Sequence, residues 1–110
     1  MISYGKQSIN QDDIDAVVDV LKSDLLTQGP KVVEFENDLA NYCEAKYAKA
    51  VNNGTAALHL AYLAIGLEQG DIVWTTPNTF VATANAALYC GATVDFVDIE
   101  PDTALMSVEK

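Results

Sequence analysis

The sequence predicts an α/β fold in three layers (α/β/α), in which helices cover both faces of a mostly parallel sheet. Strand-like and helix-like runs alternate from Ala48 to Val97, and this order favours parallel strands joined by helical crossovers. The helix-like run behind Thr55 is apolar on nearly every side, which is typical of a helix buried on more than one side. Half of the 110 residues are hydrophobic, so we expect one small domain with a real core.

Two amphipathic helices are expected before the alternating region. Asn10 can cap the first, over about residues 11–23, because Asp12 and Asp13 then fall in its first turn. Pro30 suits the first position of the second helix, which should end near Ala45. Its buried side should carry Leu39, Tyr42 and Cys43.

The alternating region supplies the predicted sheet and the helices that connect it. The predicted strands are 48–51, 72–76 and 93–97, rich in β-branched residues. The connecting helices are 55–67 and 80–89, the second capped by Asn78 or Thr79 and ended by Gly91. Trp74 should lie in the core. Cys43 and Cys90 lack a metal-ligand spacing, so we expect buried free thiols, as in a reducing compartment.

The turn Asn52-Asn53-Gly54, between the first predicted strand and its helix, is a candidate anion site. The first turn of a helix leaves backbone N–H groups unpaired and carries partial positive charge. Gly54 lets the backbone approach a ligand closely, and Thr55 adds a hydroxyl donor. The spacing matches neither a Gly-x-Gly-x-x-Gly loop nor a phosphate loop ending in Gly-Lys-Ser/Thr. We therefore expect one phosphate rather than a pyrophosphate.

Charge and hydropathy exclude two classes of partner. Sixteen acidic residues face six lysines, and the net charge of −10 argues against nucleic acid. No stretch approaches the roughly eighteen apolar residues of a membrane span, and no secretory leader is visible. We expect a cytoplasmic protein with neither nucleic-acid nor membrane partners.

Several polar or aromatic residues have a structural and a functional interpretation. His59 has no partner in the sequence and is expected to be a partly buried structural residue. Phe80 is either a core aromatic or, because it follows a strand end, a ring beside a ligand. Asp98 and Glu100 could hold magnesium as in a response regulator, but uncharged polar residues follow the first strand. We expect these two carboxylates at a turn on the surface.

Five ordered blocks resemble the N-terminal part of the DegT/DnrJ/EryC1/StrS sugar aminotransferases, which are fold-type-I pyridoxal-phosphate enzymes. The blocks are residues 4–6, 26–30 with Phe35-Glu36, 51–58, 76–85 and 97–101. The resemblance is greatest to the family members of pseudaminic acid biosynthesis. It implies an N-terminal arm and first helix over residues 1–30, and the first, incomplete part of the large domain over residues 31–110.

The same resemblance implies a set of site residues. The phosphate of pyridoxal 5'-phosphate would lie beside Gly54 on the backbone N–H groups of Thr55 and Ala56, and Phe80 would stack on the pyridine ring. The positions that match the nucleotide-sugar pocket are Tyr4, Asp24, Leu25, Leu26, Thr27 and Gly54. The implied reaction converts a UDP-linked 4-keto-6-deoxy-sugar to the 4-amino-sugar, with glutamate as amino donor. The implied assembly is a homodimer with its sites at the subunit interface.

The chain departs from the family at the catalytic positions. The family's Schiff-base lysine, and the acidic residue that pairs with the pyridine nitrogen, match no residue here, although the chemistry needs both. The lysines are Lys6, Lys22, Lys31, Lys46, Lys49 and Lys110, and none stands at the matching position. We expect no catalytic residue and no transamination from these residues alone. The alternative is a non-catalytic α/β module, or an inactive fragment, that binds a small phosphorylated ligand.

Overall fold

The structure is a computed structural model that describes residues 5–110. These residues form four helices and two strands: α1 (Gln11–Leu21), α2 (Pro30–Tyr42), α3 (Gly54–Ala64), β1 (Ile72–Thr75), α4 (Ala82–Tyr89) and β2 (Thr93–Phe96). They divide into two compact units, one ending at Ala50 and one beginning at Val51. The predicted α/β class with a parallel sheet is confirmed. Tyr4 lies outside the described residues.

In the first unit, α1 begins with the predicted cap. Asn10 Oδ1 accepts a hydrogen bond from the Asp13 N–H at 3.0 Å, and the Asp13 carboxylate accepts one from the Asn10 N–H at 2.9 Å. This reciprocal pair satisfies two N–H groups and places the first-turn aspartates at the positive end of the helix dipole. The helix ends at Leu21, slightly before the predicted Ser23, whose hydroxyl donates to the Val20 carbonyl at 2.7 Å.

The second helix also begins as predicted, with Pro30 as its first residue and Gly29 as N-cap. A Cβ at Gly29 would lie 2.5 Å from the carbonyl oxygen of Leu25, so only glycine fits. The helix ends at Tyr42 instead of near Ala45, because Glu44 adopts a left-handed φ of 53°.

The expected buried side of α2 is wrong. Tyr42 is 88% exposed, Leu39 is also exposed, and Cys43 is an exposed thiol. Ala40 is the helical residue that the described part of this unit buries. The spacing did give α2 an apolar stripe, but the described residues provide nothing that covers it.

The sheet lies in the second unit and has two described strands, which run parallel. Ile72 pairs with Thr93 at one end and Thr75 with Phe96 at the other. The predicted strand 48–51 is not formed, so the three-stranded sheet is wrong for the described residues. A strand requires a neighbour that takes its backbone hydrogen bonds. Here the Ala50 N–H instead donates to a side chain of α2.

The helix α4 packs on both strands and on α3. Ala86 and Ala87 are 0% exposed, and their small side chains let the helix lie close to its neighbours, as predicted. The helix begins at Ala82, later than predicted, and neither Asn78 nor Thr79 caps it. The Thr79 hydroxyl pairs instead with a side-chain hydroxyl of the first turn. Gly91, with φ of 81°, follows its end as predicted.

The helix α3 ends at Ala64 instead of Leu67. Gly66 adopts a left-handed φ of 79°, and the Leu67 N–H then donates to the Tyr62 carbonyl at 3.0 Å. The helix is also not buried on more than one side, since none of its described side chains is buried.

The expected burial of Trp74 is wrong as well. Trp74 is 66% exposed, and Ile72 on the same face of β1 is also exposed, while the alternate residues Val73 and Thr75 are less so. Cys90 is half-buried rather than buried. Ile72 and Trp74 remain accessible because the described elements cover only one face of the sheet. Of the residues in view, no helix is long and apolar enough to cross a membrane.

Candidate functional site

The candidate site is the turn that begins α3 in the second unit. Asn53 is the N-cap, in extended conformation, and Gly54 is the first helical residue. Asn53 Oδ1 accepts a hydrogen bond from the Ala56 N–H at 2.8 Å, and its backbone carbonyl accepts one from the Ala57 N–H at 3.2 Å. The helix begins here because asparagine supplies both acceptors at this position.

Two adjacent donors of this turn remain without a protein acceptor in residues 5–110: the N–H groups of Gly54 and Thr55. They lie at the positive end of the α3 dipole and can therefore receive an anionic oxygen. Ala56, the other predicted phosphate donor, already donates to Asn53. Its N–H can bind a phosphate only if the Asn53 side chain turns away.

Gly54, the first helical residue, is exposed. A Cβ at this position would meet no described atom within 4 Å, so neither packing nor a left-handed φ requires glycine here. Thr55 is half-buried, and its hydroxyl makes no hydrogen bond within the described part of the chain. Among residues 5–110, the turn thus has two N–H groups and one hydroxyl without a hydrogen-bond partner.

Phe80 lies in the segment between β1 and α4, just past the carboxyl end of a parallel strand. The core interpretation is wrong, because the side chain is 76% exposed. Ligands of parallel α/β sheets bind at this end of the strands, so the ring is available to one. Residues 54–56 form a single turn, whereas Phe80 belongs to a separate segment of the same unit.

Tyr62 connects α3 with the start of α4, directly after the segment that carries Phe80. Its hydroxyl donates to the Thr83 carbonyl at 3.5 Å, and the Thr83 hydroxyl lies 3.1 Å from the hydroxyl of Thr79. His59, nearby on α3, packs edge-to-face on Tyr89 with ring centroids 5.5 Å apart. His59 is half-buried, as predicted.

Four of the residues predicted for the nucleotide-sugar pocket lie in the first unit, whereas Gly54 belongs to the turn in the second unit and Tyr4 lies outside the described residues. Asp24, Leu25, Leu26 and Thr27 form the exposed connection between α1 and α2. The Leu25 carbonyl accepts a hydrogen bond from the Ser23 hydroxyl at 3.3 Å, which helps to fix the connection. The pocket itself stays a prediction.

Asp98 and Glu100 serve the turn that follows β2. Asp98 accepts hydrogen bonds from the Ile99 N–H at 2.8 Å and the Lys110 ammonium at 3.2 Å, and these hold the pKa of the carboxyl below its usual range. Glu100 accepts a hydrogen bond from the buried Ser107 hydroxyl. The expected surface position is confirmed for Asp98, which is exposed, and wrong for Glu100, which is half-buried.

Sequence reasoning missed two residues at or near the site. Asn53 caps α3, and an asparagine directly before a predicted helix could have indicated this. Glu36 binds the backbone at Ala50, and no local pattern predicts a contact across 14 residues.

The chain matches a family of known enzymes over almost its whole length. Residues 7–110 fit the model of the DegT/DnrJ/EryC1/StrS aminotransferase family. A UDP-4-amino-4,6-dideoxy-N-acetyl-beta-L-altrosamine transaminase from Campylobacter jejuni is 54% identical over 102 residues, which make up 93% of this chain. The chain spans 27% of the length of that relative. The resemblance expected from the five sequence blocks is confirmed.

Solved structures show the same fold. The PLP form of Spr1654 from Streptococcus pneumoniae superposes with a TM-score of 0.92 at 33% identity, over 98% of this chain and 28% of that one. Helicobacter pylori PseC, an aminotransferase involved in the biosynthesis of pseudoaminic acid, gives a TM-score of 0.83 at 36% identity, over 89% of this chain and 27% of that one. The described units therefore correspond to part of an aminotransferase fold.

Proposed function

This chain belongs to the DegT/DnrJ/EryC1/StrS aminotransferase family, and we propose that it supplies the phosphate-binding turn of a pyridoxal-phosphate-dependent sugar aminotransferase. The observation that carries the proposal is the start of α3. The N–H groups of Gly54 and Thr55 have no acceptor among the described residues, and a Cβ at Gly54 would meet no described atom within 4 Å.

The residues of the turn fit the phosphate of the cofactor. Two adjacent N–H groups and the Thr55 hydroxyl donate to its oxygens, and the α3 dipole stabilises its negative charge. The chain carries a net charge of −10, so these local donors must offset its repulsion of an anion. The exposed Phe80 ring stacks on the pyridine ring.

The substrate half of the proposal rests on the family likeness. Residues 24–27, with Tyr4 and Gly54, match the family positions that bind the nucleotide sugar, and the proposed reaction converts a UDP-linked 4-keto-6-deoxy-sugar to the 4-amino-sugar of pseudaminic acid biosynthesis. The proposal also includes glutamate as the amino donor, a homodimer with its sites at the subunit interface, and a cytoplasmic location. The exposed connection between α1 and α2 leaves residues 24–27 accessible to such a ligand.

Pyridoxal phosphate, when bound, supplies the electron sink that transamination requires. The residues of this chain bind and orient it, and none of its six lysines matches the position of the family's Schiff-base lysine. Residues 1–110 therefore contribute binding groups rather than the groups that move protons.

Pyridoxamine phosphate tests the turn, because it keeps the phosphate but lacks the aldehyde that would react with surface lysines. We expect it to bind at least about tenfold more tightly than pyridoxamine, since charge-assisted hydrogen bonds are worth about 1.5–3 kcal/mol each. Thr55→Glu should abolish this preference, because it places a bulky negative charge beside the donors of the turn. Thr55→Ser, which keeps the hydroxyl, is the matched control and should keep the preference. Equal binding of the two ligands by the unchanged protein would refute the proposal.

A further inference from the structure

Glu36 on α2 binds the last two residues of the first unit. Its Oε1 accepts a hydrogen bond from the Ala50 N–H at 3.0 Å, and its Oε2 accepts one from the Lys49 ammonium at 2.8 Å. The Glu36 side chain is 13% exposed, whereas that of Lys49 is 80% exposed. One largely shielded carboxylate therefore fixes a backbone N–H that no described strand pairs with.

Ala50 comes three residues before Asn53, the N-cap of α3. The hydrogen bond from Ala50 to Glu36 lies within the first unit, and the chain continues from Ala50 directly into the second unit. Val51 and Asn52 are the only residues between the fixed amide and the cap. A restraint at Ala50 thus limits the conformations open to the backbone that enters the turn.

We propose that Glu36 is a positioning residue for the phosphate-binding turn. By holding the Ala50 N–H, its carboxylate restricts the backbone before a ligand binds. The residues that carry the Gly54 and Thr55 N–H groups then lose less conformational entropy when they bind a phosphate. The inference rests on the proposed function of that turn. It also gives a role to the Phe35-Glu36 motif, which the phosphate site does not use.

The two hydrogen bonds of Glu36 contribute unequally to the restraint of the backbone. The Lys49 ammonium is exposed, so water and salt screen its ion pair. The bond to Ala50 is the one that restrains the backbone. Removing the carboxylate should therefore weaken phosphate binding, whereas removing the Lys49 charge should not.

The test compares the affinities for pyridoxamine phosphate and for pyridoxamine in four proteins: the unchanged chain, Glu36→Ala, Glu36→Gln and Lys49→Met. We expect Glu36→Ala to lower the affinity for the phosphate ligand about tenfold and that for pyridoxamine less than twofold. Glu36→Gln keeps an oxygen that can accept from Ala50, so it should stay within about threefold of the unchanged protein, and Lys49→Met within about twofold. Amide exchange at Ala50 should be faster in Glu36→Ala only.

If Glu36 had a merely structural role, Glu36→Ala would lower the affinities for both ligands alike. An equal loss of the two affinities therefore overturns the proposal. Unchanged phosphate affinity in Glu36→Ala overturns it too, while leaving the proposed function intact. An unchanged protein that does not prefer the phosphate ligand overturns both. If Glu36→Ala does not fold, the other variants decide: Lys49→Met weakening phosphate binding more than Glu36→Gln does would refute the role of the Ala50 bond.

Discussion

Asn53 Oδ1 accepts a hydrogen bond from the Ala56 N–H at 2.8 Å, so the cap of α3 occupies one of the donors that the sequence motifs assign to a phosphate. The cap and a ligand therefore compete for the same N–H. The neighbouring N–H groups of Gly54 and Thr55 face no such competition in residues 5–110. The side chain at position 53 should accordingly influence both helix stability and ligand affinity.

Substitutions of Asn53 separate these two effects. Asn53→Ala should destabilise the protein by about 1 kcal/mol, because the cap is lost, yet keep phosphate affinity, because the Ala56 N–H becomes free. Asn53→Asp should keep the cap but lower the affinity for pyridoxamine phosphate about tenfold, because the charge of the aspartate repels the phosphate. Chemical denaturation and ligand titration measure the two quantities. Asn10→Ala, which removes the matching cap of α1, should leave ligand affinity unchanged, and full affinity in Asn53→Asp would contradict the site.

Local chemistry was predictable from the sequence. The Asn10 cap, the Pro30 start and the Gly91 stop each depend on a few neighbouring residues, and the structure contains all three. The site followed the same pattern: the turn at Gly54 was correctly placed at a helix start because its conformational preferences are local.

Features that depend on distant partners were not predictable. Residues 48–51 read as a strand, but the described residues provide no neighbour for them, and the Ala50 N–H bonds to Glu36 instead. Trp74 reads as core, yet the face of β1 that carries it has no described cover. Periodicity indicates which side chains require burial, whereas the identity of the covering element depends on residues far away in sequence.

The exposed ring of Phe80 should contribute to cofactor affinity without contributing to stability. Phe80→Ala should lower the affinities for pyridoxamine phosphate and for pyridoxamine equally, each by about fivefold. An aromatic stacking pair is worth about 1 kcal/mol and involves no phosphate. The unfolding free energy should change by less than about 0.5 kcal/mol, since the side chain is 76% exposed. Tyr47→Ala, at a similarly exposed ring, is the control. A loss confined to the phosphate ligand would argue against stacking.

The contact between α4 and its neighbours should tolerate no larger side chain. Ala87 is 0% exposed, so Ala87→Leu should lower the free energy of unfolding by about 1–3 kcal/mol through overpacking. Leu88→Ala, at the exposed next position, should change it by less than about 0.5 kcal/mol. Urea unfolding curves of both variants test this, and equal effects would show that α4 does not pack as described.

No lysine of the chain should form the defined covalent adduct of an aminotransferase. All six lysines are exposed, so pyridoxal phosphate followed by borohydride should label several of them partially. Peptide mass spectrometry after reduction identifies the labelled positions, and the label should persist in Thr55→Glu, because it does not depend on the phosphate-binding turn. Stoichiometric label on one lysine alone would show that the chain contains its own catalytic amine.

The Glu36 carboxylate should make stability depend on pH in the acid range. The Lys49 ammonium and the Ala50 N–H both stabilise the charged form and hold the pKa of Glu36 below its usual value. Its contribution is therefore fully present above the pKa that glutamate has in the unfolded chain, and is lost as the pH falls through the depressed pKa of the folded state. The difference in unfolding free energy between the unchanged protein and Glu36→Gln should shrink over that interval. Lys49→Met, which removes the larger cause of the shift, should move the loss to higher pH, and a difference that is independent of pH would show that the carboxylate is not held by these two groups.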